Sequence, residues 1–451
     1  MIGATLSRWT MSFFSVALVA LIVALVLMAA GTGYPSEGIA DAGSLIVVHV
    51  TAIGWLSLLM CGALLQFLPV LVAHTLYSDA LAWPALLALV VGLVALVLAF
   101  LQFGGILQTQ VPYFAAAAVL LIAGFGLILW NLGATLLAAE DVPLPVWFVI
   151  AGLVAAVFTV GLGAVFATAL GGGQAAWLVT LTAAGIPLHA IAGLGGWLTF
   201  TAMGVSYRLL AMFMLSPELK RQSTRIALVL GAAALAVAVV GGIVVVLANG
   251  NLMLALTAAL VLAVGALVPY GMDVVFLYRK RRRPVIELNS RMAGVALANL
   301  AALAVLVVVL AVFGQLGNQA GAVVFFAAFG WLTGLGLSQL FKIVAFMTWL
   351  ETYGPVMGRM PTPRVQDLVV EKRALKWFWT YHAGTWAATL ALLFGLAIPF
   401  RICVVVMLAG TLGLVAQFLR TRRLLDIDAA KRLPEGTRQP QLFVSNAAKP
   451  A

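Results

Sequence analysis

Twelve apolar stretches, each long enough to cross the hydrocarbon core of a bilayer, occupy most of this 451-residue chain. They fall roughly at 11–31, 45–71, 82–104, 111–138, 146–170, 177–212, 226–248, 252–278, 291–314, 320–350, 376–399 and 401–424. Short breakers separate them, among them Gly104-Gly105, Gly171-Gly172-Gly173 and Asn249-Gly250-Asn251. With 64% of residues hydrophobic and 9% charged, too few polar side chains remain to cover a water-soluble surface. The expected fold class is therefore all-α, a polytopic membrane protein of about twelve transmembrane helices forming one transmembrane domain over 1–424, with a polar tail at 425–451. The first stretch follows a single Arg8, and Ala29-Ala30-Gly31 offers a cleavage site. An even span count favours a retained first helix.

The net charge of +11 does not point to nucleic acid, because it is sorted by loop. Lys220, Arg221 and Arg225, then Arg279 to Arg283, then Arg359, Arg364, Lys372, Arg373 and Lys376 follow even-numbered spans, and Arg420, Arg422 and Arg423 lead into the tail. The opposite loops hold Arg401 alone, with Glu37 and Asp41. That asymmetry places both termini in the cytoplasm, and the membrane expected for such a chain is a bacterial-type inner membrane. Two cysteines, Cys61 and Cys403, both inside apolar runs, make neither a disulfide framework nor a Cys-rich metal site.

Gly-Trp-Leu occurs three times, at Gly54-Trp55-Leu56, Gly196-Trp197-Leu198 and Gly330-Trp331-Leu332, at intervals of 142 and 134 residues. Eleven residues after each Trp stands a long polar side chain: Gln66, Arg208 and Lys342. Each copy lies in the second span of a block of four, so the chain reads as three pseudo-symmetric four-helix units, roughly 1–141, 142–284 and 285–424. The alternative is an interfacial Trp belt with cations snorkelling to one face.

Twelve spans in three blocks, with cytoplasmic termini, resemble subunit I of the heme-copper oxidase superfamily, and in particular a divergent, NnrS-like or oxidase-like member. The resemblance implies metal-ligating histidines in spans 2, 6 and 10. His49 lies in span 2 and His189 in span 6, each shortly before its Gly-Trp-Leu. The departures are larger. Span 7 lacks the histidine pair that the resemblance implies, and span 10 carries Phe325, Phe326 and Phe329 where a His-x-His is implied. The whole chain holds four histidines, His49, His74, His189 and His382. They cannot ligate two hemes and a copper, so reduction of oxygen or nitric oxide is not expected.

His49 and His189 are the expected cofactor- or metal-binding residues, holding one b-type heme between spans 2 and 6 with Gly193 and Gly196 making room for the ring. A two-residue offset between them in the repeat requires Pro187 to unwind span 6 locally. The structural alternative for each is a neutral imidazole bonded to a neighbouring helix, with the glycines serving close packing. Gln66, Arg208 and Lys342 either snorkel or bind an anionic quinone or lipid headgroup. Tyr207 lies eighteen residues, five turns, from His189 and shares its face. Asp273 is expected to pair with Arg208 or Lys342, Glu351 to cap span 10, and His382 to sit in an aromatic belt with a buried hydrogen bond. Part of 351–376 reads as an amphipathic surface helix.

Two classes of function follow. The first is a heme-copper-oxidase-like protein with one heme or metal, in respiratory or nitrogen-oxide-related electron transfer or sensing. The second is a cofactor-free transporter, a lipid- or quinone-binding membrane protein, or an accessory subunit of a respiratory complex.

Overall fold

The computed structural model describes residues 7–358, 361–428, 431–432 and 440–445. Arg359 and much of the expected tail lie outside the described residues. Among the described residues the chain is helical throughout, without a strand, and eleven helices are long and apolar enough to cross a membrane. This is a multi-pass helical membrane protein. The helices are α1 (Thr10–Ala30), α2 (Ala42–Leu71), α3 (Ala82–Phe103), α4 (Tyr113–Leu137), α5 (Leu144–Leu170), the short α6 (Ala176–Ala184), α7 (Ile186–Met214), α8 (Gln222–Leu247) and α9 (Leu252–Arg279). Then come α10 (Leu288–Val312), α11 (Ala320–Val356), α12 (Glu371–Leu393) and α13 (Ala397–Arg422). The expected eleventh span is α12, which opens on Glu371, Lys372, Arg373 and Lys376 and continues with Trp377, Trp379, Thr380, Tyr381 and His382, a composition too polar to count among the eleven.

The sequence breakers fall where the helices stop. Gly104-Gly105 follows α3, Gly171 to Gly173 follows α5, and Asn249 to Asn251 separates α8 from α9. Asn251 caps α9, its side-chain oxygen accepting from Met253 N at 3.0 Å. At the far end of α1, Arg401 donates to Ala29 O (3.0 Å) and Ala30 O (3.1 Å), placing a cation on orphan carbonyls at the negative end of the helix dipole.

The chain divides into two compact units, one of Met1–Val70 with Glu287–Ala451 and one of Leu71–Ile286. The first holds α1, α2 and α10–α13, and the second α3–α9.

Each Gly-Trp-Leu lies in a π-helical stretch, where the backbone winds wider than an α-helix: Val50–Ser57 in α2, Ile191–Phe200 in α7 and Phe326–Thr333 in α11. A fourth stretch, Ala236–Gly241, interrupts α8. Trp55, Trp197 and Trp331 are all buried, at 0%, 3% and 0% exposure. They therefore do not form an interfacial belt; they are core side chains of the two units. In the first unit the widened backbone of α11 is held from three sides. Thr333 Oγ1 donates to Ala328 O (2.7 Å), Tyr381 of α12 to Phe329 O (2.8 Å) and Asn299 of α10 to Gly330 O (2.7 Å). Three consecutive carbonyls thus find side-chain donors, which a buried irregular segment in hydrocarbon requires.

The stretch expected to form an amphipathic surface helix is built differently. A short 3-10 turn, Val365–Leu368, precedes α12, and Leu368 is buried with Tyr353 and Ile427. Its apolar side chain is covered by protein, Val369 and Leu375 are half-buried, and Glu371 to Lys376 form the start of α12 and not a separate surface helix.

Candidate functional site

The most polar buried place in the second unit is built around Asp273. Helix α9 carries Tyr270 and Asp273 one turn apart on its buried face. Asp273 is fully buried and accepts from Ser223 Oγ (2.5 Å), Thr224 Oγ1 (2.6 Å) and Tyr207 Oη (3.3 Å), with Arg221 Nη1 at 3.6 Å. Ser223 and Thr224 open α8, so the carboxylate also sits at the positive end of that helix. Beside it the Tyr270 hydroxyl and Ser206 Oγ hydrogen-bond at 2.7 Å, Ser206 Oγ lies 2.8 Å from Met203 O, and the rings of Tyr207 and Tyr270 stand 5.1 Å apart, edge to face. Arg221 is part-exposed and stacks over Phe276 at 4.4 Å. A graded set of hydroxyls around one carboxylate, opening on a guanidinium, has the donors and acceptors needed to hold and pass a proton.

Asp273 is thus paired with Arg221, not with Arg208 or Lys342 as the sequence led us to expect. Arg208 meets Glu218 in an exposed ion pair, and Lys342 meets Glu287 at 2.6 Å with both side chains largely covered. Gln66 is buried and accepts from Ser7 N at 3.0 Å. The three matched positions after the tryptophans therefore end on three different partners. Glu351 binds Arg422 at 2.9 Å, a pair buried on both sides, with Thr348 at 3.1 Å from the same guanidinium. These partners come from distant loops and helix ends, which spacing along the chain does not report.

No protein-family model and no curated protein matches this chain.

His49 ends the α-helical start of α2, and its Nδ1 hydrogen-bonds Leu45 O at 2.8 Å, within the first unit. With Nδ1 protonated, the lone pair is on Nε2, the usual orientation for a metal-ligating imidazole tied to a backbone carbonyl. An imidazole in that tautomer would be able to hold one heme or metal ion through Nε2. His189 belongs to the second unit, on α7, where its ring lies 5.5 Å from that of Phe166 and its Cε1 3.3 Å from where a β-carbon on Gly163 would be. The helix breaks at Gly185, and Pro187 sits in the first turn of the renewed helix, which turns π-helical from Ile191. Tyr207 rests on the same neighbour as His189, its ring 5.4 Å from Phe148 of α5. Gly193 and Gly196 do not leave room for a porphyrin. A β-carbon on Gly193 would lie 3.3 Å from Thr159 Cγ2, and one on Gly196 would collide with Ala155 Cβ. These glycines seat α7 against α5. Among the described residues, no group of three or more His, Cys, Asp and Glu side chains could hold a metal ion.

His74 bonds Thr75 O at 2.9 Å. His382, on α12, departs from expectation. It is 1% exposed, and neither ring nitrogen has a hydrogen-bond partner among the described residues. Its Cε1 would be 2.9 Å from a β-carbon on Gly334. The imidazole is packed as a flat apolar body against a glycine, and its polar atoms are left unsatisfied.

Outside the spans, two carboxylates are tuned by neighbours. Burial pulls the Asp426 carboxyl upward, but hydrogen bonds and charge from Arg420 and Arg373 outweigh it and hold its pKa below the usual carboxylate range. Asp367 is likewise held low against its partial burial, by Arg364 and Lys431.

Proposed function

We propose that this chain is a divergent heme-copper-oxidase-like inner-membrane protein of twelve spans, with cytoplasmic termini, that handles protons rather than reducing oxygen or nitric oxide. The three-unit repeat is supported by the recurrence of a buried Gly-Trp-Leu within a π-helical stretch in α2, α7 and α11. The observation that carries the functional reading is Asp273, a fully buried carboxylate inside an apolar helix that gathers three hydroxyls and a guanidinium. An ionisable group buried within a spanning helix is costly and is the usual mark of an ion or proton pathway. In this reading a proton arrives past the part-exposed Arg221, protonates the Asp273 carboxylate as one hydroxyl donor rotates away, and is released from the carboxylate when that donor returns. The test is proton flux into liposomes carrying the purified protein and a trapped pH dye, under an imposed potential. Flux above that of empty liposomes is expected, with Asp273→Asn removing it. Wild-type flux no greater than background, or full flux in a folded Asp273→Asn variant, would sink the idea.

A second reading is favoured by one observation, the Nδ1 contact of His49 with Leu45 O. In that reading His49 would hold one b-type heme, which would supply electron transfer. An absorbance spectrum of protein expressed with ample heme decides it. A colourless preparation, or a Soret band unchanged in His49→Ala, ends this reading.

A further inference from the structure

The two basic loops of the second unit, 215–225 and 279–283, are stitched together by their backbones. Arg282 N donates to Leu215 O at 3.3 Å and Arg283 N to Met214 O at 3.2 Å, while Ser216 Oγ donates to Leu277 O at 2.7 Å. Charges far apart in sequence are thereby concentrated at one end of α7, α8 and α9. From residue 208 to 283 the chain holds nine bases and two acids, Glu218 and Asp273. Both acids are already engaged, by Arg208 and Arg221.

Six bases of the first unit are held by carboxylates. Arg373 and Arg420 share Asp426, Arg422 holds Glu351, Arg364 and Lys431 share Asp367, and Lys342 holds Glu287. In the second unit, Arg279, Lys280 and Arg282 are exposed and, among the described residues, have no carboxylate within salt-bridge distance. Orienting a loop needs only an excess of positive charge over the opposite side. A run of five adjacent bases clamped beside a second basic loop adds mutual repulsion that orientation does not require. Next to the charges stand exposed apolar side chains of the same helix ends: Met212, Leu215 (54% exposed), Met272 (55%) and Val275. A ligand that suits this edge is anionic at one end and hydrocarbon at the other.

We propose that this face binds the headgroup phosphate of an anionic phospholipid, with Arg279, Lys280 and Arg282 as the phosphate-binding side chains and Leu215 and Met272 along its acyl chains. Clusters of bases directly beside a membrane helix attract anionic lipid at short range and weaken with salt. The inference depends on the membrane reading alone and is independent of proton transfer at Asp273.

The experiment uses the full-length protein in nanodiscs of phosphatidylcholine doped with spin-labelled phosphatidylglycerol, or with spin-labelled phosphatidylcholine as reference. The immobilised fraction of each label gives the relative affinity. Wild-type protein should prefer phosphatidylglycerol, and the triple variant R279Q/K280Q/R282Q should lose about tenfold of that preference. Arg364→Gln, in the first unit, should keep it. Raising the salt on wild-type protein should erase most of the preference, which tests the charge mechanism even if the triple variant inserts poorly. Equal immobilisation of both labels by the wild type, or a triple variant with the wild-type preference, overturns the proposal. Full displacement of the lipid by inorganic phosphate at moderate concentration also overturns it, because the site would then recognise the free anion without the chains.

Discussion

The indole N–H of Trp55 donates to the hydroxyl of Thr333 at 2.7 Å, across 278 residues of chain. Thr333 in turn donates a hydrogen bond to Ala328 O, so one short relay joins the π-helical stretch of α2 to that of α11. The first Gly-Trp-Leu is therefore tied to the structure that carries the third.

That relay should be measurable as coupling. Trp55→Phe and Thr333→Val each remove one member and should each lower stability by about 1–2 kcal/mol, since a buried partner is left unsatisfied. The double variant should cost less than the sum of the two. Thermal unfolding in one detergent reads all three, and strict additivity would show that the contact contributes nothing.

Gly334 and His382 make a steric pair. Gly334→Ala puts a methyl 2.9 Å from the imidazole Cε1 and should destabilise by about 1–3 kcal/mol. His382→Ala opens that space, so the double variant should recover most of the loss caused by the glycine change. If Gly334→Ala is as stable as wild type, the imidazole is not held where its packing places it.

Replacing Asp273 by Leu strands three hydroxyls and Arg221 around an apolar side chain. A loss of about 1–3 kcal/mol is expected, the range for buried hydroxyls left without their acceptor. Asp273→Asn keeps an acceptor for one or two of the hydroxyls and should cost clearly less. A stability assay that ranks the two equally would argue that the cluster does not staple α8 to α9.

The pH dependence at Asp426 has a definite sign. Its pKa in the folded protein lies below that of the unfolded chain, so folding with this carboxylate ionised is favoured above the ordinary value of roughly 3.9. That contribution is lost as the pH falls through the lower folded value. Asp426→Asn should flatten this acid limb of a plot of melting temperature against pH, and a variant with an unchanged limb would remove Asp426 as its source.

The sequence made the helices legible because bilayer-length apolar runs and glycine breakers are local signals. The starts of α4 and α9 and the ends of α3 and α5 follow from them. The charged opening of α12 was also visible, as Glu371 to Lys376. The recurrence of Gly-Trp-Leu was visible, but its meaning was not. A π-helical stretch differs from an α-helix by one residue per hydrogen bond, and apolar residues fill both equally well. The hydroxyls and amides that hold it, Thr333, Tyr381 and Asn299, come from three helices. The Asp273 cluster was half readable: Tyr207 and Asp273 stood out as polar groups in apolar helices. Arg221, Ser223 and Thr224 looked like ordinary loop and helix-start residues until the ends of α8 and α9 met. His382 misled for the opposite reason, since a buried histidine is expected to find a partner and this one packs on a glycine.

The first unit is discontinuous, with residues 71–286 interposed between its two parts. Synthesis is vectorial, so α1 and α2 leave the ribosome long before α10 to α13 exist. A nascent chain that has reached Ile286 has every helix of the second unit but neither Thr333 to receive the Trp55 indole nor Arg401 to close the end of α1. Within this unit the helices made first must wait in the bilayer, part-assembled, for those made last.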